Sequence, residues 1–269
     1  MPTKSTEEKS LTFWEHLEVL RWTLLRILIL LLLVFTALFT ARDFIFTQIV
    51  FAPLSSDFWF YQALCRLAEW VAMPAFCPDA FTIELINIQL AGQFLVHIGA
   101  SFSFALILVV PYILFEIWRF VQPALYPKER KQAGSIFFSA SLLFYLGVAT
   151  SYFVIFPLTV RFLGTYEVSA LVPNQIAIQS YLGTLYILIF SLGILFEMPV
   201  LAVLLSRMGL IHKNTLRKFR SYALVILLFL AALITPTTDP FTMVVVALPL
   251  YLLYELSILL VRKEPVLED

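Results

Sequence analysis

Six apolar runs, separated by charged or turn-forming residues, constrain this chain more than any other feature. They fall at about 22–41, 95–118, 134–157, 181–205, 222–234 and 241–261. A helix needs roughly 20 apolar residues to cross the hydrocarbon core of a bilayer, and five of the runs reach that length. The fifth is shorter, and only Thr235 to Pro240 separates it from the sixth. That hairpin barely spans a normal bilayer, which implies local thinning or packing inside a protein assembly. Charged residues make up 13% of the chain, about half the share found in water-soluble domains. No cleavable secretion signal, internal repeat or low-complexity tract is visible.

Six spans place both termini on one side, and the basic residues say which. Lys4, Lys9, Arg21, Arg26, Arg119, Lys128, Arg130, Lys131, Arg207, Lys213, Arg217, Lys218, Arg220, Arg262 and Lys263 fall on the side of the termini, against Arg42, Arg66 and Arg161 on the other. Positive charge marks the cytoplasm. The expected fold is therefore an all-α membrane protein with six transmembrane helices and cytoplasmic N- and C-termini. It divides into a cytoplasmic segment 1–21, a membrane domain 22–261 with a long periplasmic loop at about 42–94, and a tail 262–269. Within the loop, Asp57 to Val71 has helical spacing, with Phe60, Leu64, Leu67 and Val71 on one face, as in a helix that caps the bundle or lies on the outer surface. Cys65 and Cys77 share this loop, on the side where disulfides persist. A bridge between them and two thiols packed as small hydrophobes are both compatible with the sequence.

Several chemistries have no residues to carry them. No glycine-rich phosphate loop ends in Lys-Ser or Lys-Thr. His16, His97 and His212 lie far apart without metal-ligand spacing, and no serine or cysteine sits in a nucleophile's context. The sequence gives no reason to expect an enzyme, a cofactor or a metal. Carboxylates near the membrane are the informative residues. Glu197, in Phe196-Glu197-Met198-Pro199, lies inside the fourth span, where an ionised carboxylate must face the bundle interior or a wet cavity. Pro199 frees a backbone carbonyl one turn earlier. Glu116 and Glu255 approach the cytoplasmic ends of their spans, within reach of headgroup water, Arg119 or Arg262. Glu18 and Glu129 are cytoplasmic; brought together, they would receive paired guanidinium groups through bidentate bonds. Asp239 lies in the outer turn of the short hairpin between two prolines. Pro53, Pro111, Pro157 and Pro249 recur near span ends and suggest a curved wall.

These motifs together resemble the TatC family. His16-Leu17-Glu18-Val19-Leu20-Arg21 is similar to its N-terminal His-Leu-x-Glu-Leu-Arg signature, and Ala52-Pro53-Leu54 to the start of its first periplasmic loop. Trp118-Arg119-Phe120, Pro123-Ala124-Leu125-Tyr126 and Glu129-Arg130 are similar to its first cytoplasmic loop. Phe196-Glu197-Met198-Pro199 resembles the Phe-Glu-x-Pro of its fourth span, and Thr235-Pro236 with Asp239 its last hairpin. Thr23 stands where the family often has a second basic residue, and Asp239 lies one residue farther from Thr235-Pro236 than in many members.

The resemblance implies a glove-like six-helix receptor in the bacterial inner membrane. It would work with TatA- and TatB-like single-span proteins to export folded proteins bearing twin-arginine signal peptides, driven by the proton-motive force. It assigns Glu18, Arg21, Phe120 and Glu129 to signal-peptide binding. Glu197 and Glu116 go to the membrane-embedded concave face, and Pro53 and Asp239 to periplasmic regions. Two rivals remain: a proton-coupled small-solute transporter using Glu197, which lacks a visible inverted repeat, and an intramembrane enzyme, which lacks a nucleophile.

Overall fold

The computed structural model describes residues 13–70, 83–121, 133–166, 169, 174–235 and 240–261. Their fold is helical for a physical reason: in hydrocarbon, backbone N–H and C=O groups must be satisfied within their own segment. The described residues open with α1 (Phe13–Thr40) and continue through α2 (Trp59–Trp70) to α3 (Gly92–Val121). Next come α4 (Ala133–Thr150) and α5 (Phe156–Thr165), then α6 (Ile178–Leu195) and α7 (Met198–Arg207). Short α8 (Lys213–Lys218) leads to α9 (Arg220–Ile234) and α10 (Pro240–Leu260).

Among the described residues, five stretches are long and apolar enough to cross a membrane: Leu17–Thr40, Gly92–Phe120, Ile136–Thr165, Ile178–Arg207 and Pro240–Leu260. The 15 residues of α9 rise only about 22 Å. Two of the long stretches, read from sequence as single spans, are interrupted, and each interruption lies next to a proline. Ser151–Ile155 widens into a π-turn before Pro157, and Phe196 and Glu197 form a turn before Pro199. Proline cannot donate to the carbonyl a turn behind it, which weakens the ladder there, although α3 and α10 stay continuous through Pro111 and Pro249.

Packing runs from α1 onto α3, from α3 onto α4 and α6, and from α10 onto α7 and α9. The innermost side chains are Phe156, Leu185, Leu188, Leu192, Val246 and Leu250. At the α4–α6 crossing the backbones meet at glycines. A Cβ on Gly147 would lie 2.7 Å from the Leu192 carbonyl oxygen, and one on Gly193 2.7 Å from the Phe144 ring. Small residues let membrane helices approach closely where no water can drive association. By contrast α1 has an almost wholly exposed span, with 6% of its most apolar window buried.

At the end of the bundle opposite the start of α1, strands β1 (Leu85–Ile86) and β2 (Ile176–Ala177) pair in parallel, Leu85 opposite Ile176 and Ile86 opposite Ala177. They lead into α3 and α6, so those two helices cross in the same direction. After α1 the chain takes a π-turn over Ile45–Val50 and a 3-10 turn over Ala52–Leu54. Tyrosines satisfy the carbonyls this irregular backbone leaves over. Tyr152 donates to Ile49 O at 2.7 Å, Tyr181 to Val50 O at 2.6 Å, and Tyr61 to Pro53 O at 3.2 Å and Pro157 O at 3.0 Å. Burial raises the Tyr61 phenol well above the ordinary tyrosine range, so it stays a donor.

The outer-loop helix is present as α2, but its anchor differs from the face expected in the sequence. Tyr61 is buried to 1% exposure, whereas Phe60 and Leu64 are only half-buried. Cys65 is disulfide-bonded; Cys77, the only other cysteine of the sequence, lies outside the described residues.

Candidate functional site

Ionisable groups gather at the end of the bundle where α1 begins and α3 ends. A cavity of about 460 Å³ opens there, lined by Glu18, Val19, Trp22, Thr23, Arg26, Arg119 and Phe120. Glu18, Trp22 and Arg26 recur at intervals of four residues along one helix face. Phe120 and Arg119 close the cavity from the last turn of α3. The structure thus brings together two residues that lie about 100 positions apart and that the sequence singles out, Glu18 and Phe120.

Glu18 is half exposed and held from two sides. The Trp22 indole N–H donates to Oε1 at 2.7 Å, and Arg21 Nη1 approaches Oε2 at 3.9 Å. Both partners sit within one turn of the same helix. The indole bond is short and fixes the carboxylate's orientation. The Arg21 contact joins two exposed side chains and is worth little in water, so another cation can displace it.

Beneath the cavity lies Glu116, 2% exposed. Its Oε1 accepts from Tyr112 at 2.9 Å, and its Oε2 accepts from Arg26 Nη2 at 3.0 Å. Thr23 donates to Oε2 at 3.5 Å, and Arg119 Nη1 lies 4.0 Å from Oε1. Sequence reasoning points to Arg119 or headgroup water as the partner of Glu116. The closer partner is Arg26, from another helix, and the carboxylate sits inside the α1–α3 contact. Trp22 escapes the sequence reading, Arg26 enters it only as one of the orienting charges, and Thr23 only as a departure from the family pattern. The available signal was one charge of each sign about a turn inside the same end of two apolar spans.

The remaining candidates fall elsewhere. Glu197 occupies the turn between α6 and α7, with Oε1 buried and unbonded, far along the chain from the cavity. Pro53 is buried in its 3-10 turn, where its carbonyl accepts from Tyr61. Glu255 pairs with Arg220 at 2.6 Å and accepts from Tyr251 at 3.1 Å. Glu129, Asp239 and Cys77 lie outside the described residues. His97, in the second turn of α3, donates from Nε2 to the Phe39 carbonyl at 3.0 Å and stacks on the Phe39 ring. Among the described residues, no three His, Cys, Asp or Glu side chains converge as a metal would require.

Comparison with known proteins agrees with the motifs. The family model described as Sec-independent protein translocase protein (TatC) matches residues 15–249. The TatC of Blattabacterium sp. subsp. Periplaneta americana is 34% identical over 254 residues, covering 94% of this chain and 95% of that relative. The TatC of Escherichia coli (strain K12) is 36% identical over 248 residues, covering 92% and 86%. A crystal structure of the twin-arginine translocase receptor TatC in DDM superposes with a TM-score of 0.71 at 30% identity, over 92% of this chain and 99% of that one. With the motifs, the helical order and the match along most of its length in agreement, this chain belongs to the TatC family.

Proposed function

We propose that this protein is the signal-peptide receptor and core subunit of a Sec-independent, twin-arginine translocase in the bacterial cytoplasmic membrane. The observation that supports the reading best is the cavity between α1 and α3, where Glu18 is oriented by Trp22 and only loosely held by Arg21. An incoming arginine exchanges one weak surface pair for a bidentate bond to a carboxylate whose geometry is already set. Phe120 supplies an apolar and aromatic wall on which a guanidinium plane can stack.

Glu129 is the second carboxylate of the proposed site. It lies nine residues beyond Phe120 in sequence, so the chain can place it no farther away than about 30 Å. Both termini are cytoplasmic in this reading. The peptide's apolar segment then runs along the membrane-embedded wall toward Glu197. TatA- and TatB-like single-span proteins complete the complex, and the proton-motive force drives transport of folded cargo. Pro53 and Asp239 belong to the periplasmic end of this machine.

The test is binding of Arg-Arg and Lys-Lys signal peptides to the membrane-embedded protein, with Glu18→Ala and Glu129→Ala beside wild type. The expected result is a preference of roughly tenfold for Arg-Arg, from bidentate geometry that lysine lacks, lost in both variants. Because Glu18 borders water, affinity also falls as salt is raised. Equal binding of the two peptides, indifferent to both substitutions, would overturn the site.

A further inference from the structure

A second crevice, separate from the Glu18 cavity, lies between the beginning of α4 and the ends of α7 and α10. It encloses about 230 Å³ and is lined by Ile136, Ser139, Leu143, Pro199, Val200, Val203, Arg207, Leu256 and Leu260. Its walls are apolar except at Ser139 and Arg207. Arg207 Nη1 is buried and has no hydrogen-bond partner. A guanidinium nitrogen withdrawn from water without an acceptor is costly, and an anion that reaches the half-buried Arg207 side chain would satisfy it.

The protein does not supply that anion among the described residues. On α10, Glu255 is engaged by Arg220 and Tyr251. On the fourth span, Glu197 lies ten residues back, about 15 Å along a helix. The crevice, at about 230 Å³, has room for part of a lipid tail. From Pro199 to Arg207 the helix rises about 12 Å, close to the depth of one leaflet's hydrocarbon. Arg207 ends α7 at the mouth, and the next residues, through α8 to Arg220, carry four more basic side chains: Lys213, Arg217, Lys218 and Arg220.

The geometry points to a bound anionic phospholipid, its phosphate on Arg207 and one acyl chain in the crevice between α4, α7 and α10. A phosphodiester offers paired oxygens to a guanidinium, and basic pockets between membrane helices take such headgroups. The inference requires only that α4, α7 and α10 lie in a membrane, so it stands or falls apart from the signal-peptide site.

The test uses full-length protein in mild detergent, stripped of co-purified lipid and titrated with phosphatidylglycerol or phosphatidylcholine, with bound lipid counted by native mass spectrometry. Wild type is expected to hold one phosphatidylglycerol with about tenfold preference over phosphatidylcholine, the strength of a charged hydrogen bond. Arg207→Gln removes the preference. Val203→Trp fills the crevice and lowers occupancy by both lipids, leaving Arg207 in place. Arg217→Gln deletes the same charge from the exposed face of α8 and leaves binding unchanged. Each variant is first checked for wild-type thermal unfolding; if Arg207→Gln fails that check, Val203→Trp and Arg217→Gln decide. Equal affinity for the two lipids, an equal loss in Arg217→Gln, or full displacement by millimolar inorganic phosphate would overturn the site.

Discussion

The side chain of Glu116 is 2% exposed, that of Arg26 39%, and this asymmetry decides what each does alone. Without Arg26, Glu116 keeps Tyr112 and Thr23 as donors but loses its closest cation and remains buried. Without Glu116, Arg26 can still turn toward water. Breaking a buried pair from one side is the costly operation, whereas removing both charges is mild. Arg26→Met is therefore expected to destabilise by about 3 kcal/mol, Glu116→Gln by less, and the double variant by less than Arg26→Met alone. Thermal unfolding of the four proteins in one detergent checks the order; an additive double variant would mean the two side chains do not interact. Glu116 also offsets the charge of Arg26 beside the cavity, so Glu116→Gln should weaken binding of an Arg-Arg peptide although Glu18 is intact. At this scale the sequence shows Glu18 and Phe120 plainly, because they sit in motifs. Arg26 and Trp22 act through neighbours, one across two helices and one through a single turn, and motif spacing carries neither.

Elements show a different boundary between what can be read from sequence and what cannot. The apolar runs locate most helix ends to within a turn because burial in lipid demands a minimum length, but α1 begins nine residues before its run and α5 ends eight residues beyond the third run. Pro157 and Pro199 lie beside the interruptions, but Pro111 and Pro249 lie inside continuous helices, so whether a ladder holds, widens as at Ser151–Ile155, or opens into a turn as at Phe196 and Glu197, depends on what packs alongside. The α4–α6 contact is invisible in the sequence, since Gly147 and Gly193 lie in separate runs. Three glycines allow it to be tested. Gly147→Ala would put a methyl group 2.7 Å from a backbone carbonyl, and Gly193→Ala would press one into the Phe144 ring. Gly183, on the same helix as Gly193, has nothing within 4 Å of where a Cβ would stand. Gly147→Ala is expected to cost about 1–3 kcal/mol, because helix backbones must part. Gly193→Ala should cost less, because a ring can shift. Gly183→Ala should be neutral or slightly stabilising, as alanine is the better helix former. Melting temperatures in that order would confirm that backbone proximity, rather than glycine content, holds the crossing; a loss at Gly183 as large as at Gly147 would refute it.

For the whole molecule the open issue is how a short hairpin sits beside full-length spans. α1 is tied to α3 by polar contacts at two levels, His97 to the Phe39 carbonyl and Arg26 to Glu116. His97 and Glu116 are nineteen residues apart on α3, about 28 Å, nearly the thickness of a hydrocarbon core. That separation suits an ordinary bilayer at the α1–α3 edge. At the α9–α10 edge, α9 rises only about 22 Å, so the outer turn of the hairpin is exposed to water only where the bilayer is thinned by several ångströms. Single cysteines read by a membrane-impermeant maleimide separate the alternatives, with the parent protein, whose own Cys65 is disulfide-bonded, as background. With cytoplasmic termini and six spans, Leu90→Cys labels from outside intact cells, and Thr215→Cys labels only after permeabilisation. Phe241→Cys, at the first turn of α10, decides the hairpin. Labelling from outside at a rate like Leu90→Cys means that α9 crosses a thinned membrane. Labelling that appears only after detergent means that the turn stays in hydrocarbon and the hairpin does not cross. The charge distribution predicts which face is cytoplasmic and the short fifth run already raises the matter of thickness; the length of α9 set against that of α3 gives it a size, and with six spans this contrast favours outside labelling of Phe241→Cys in a locally thin bilayer.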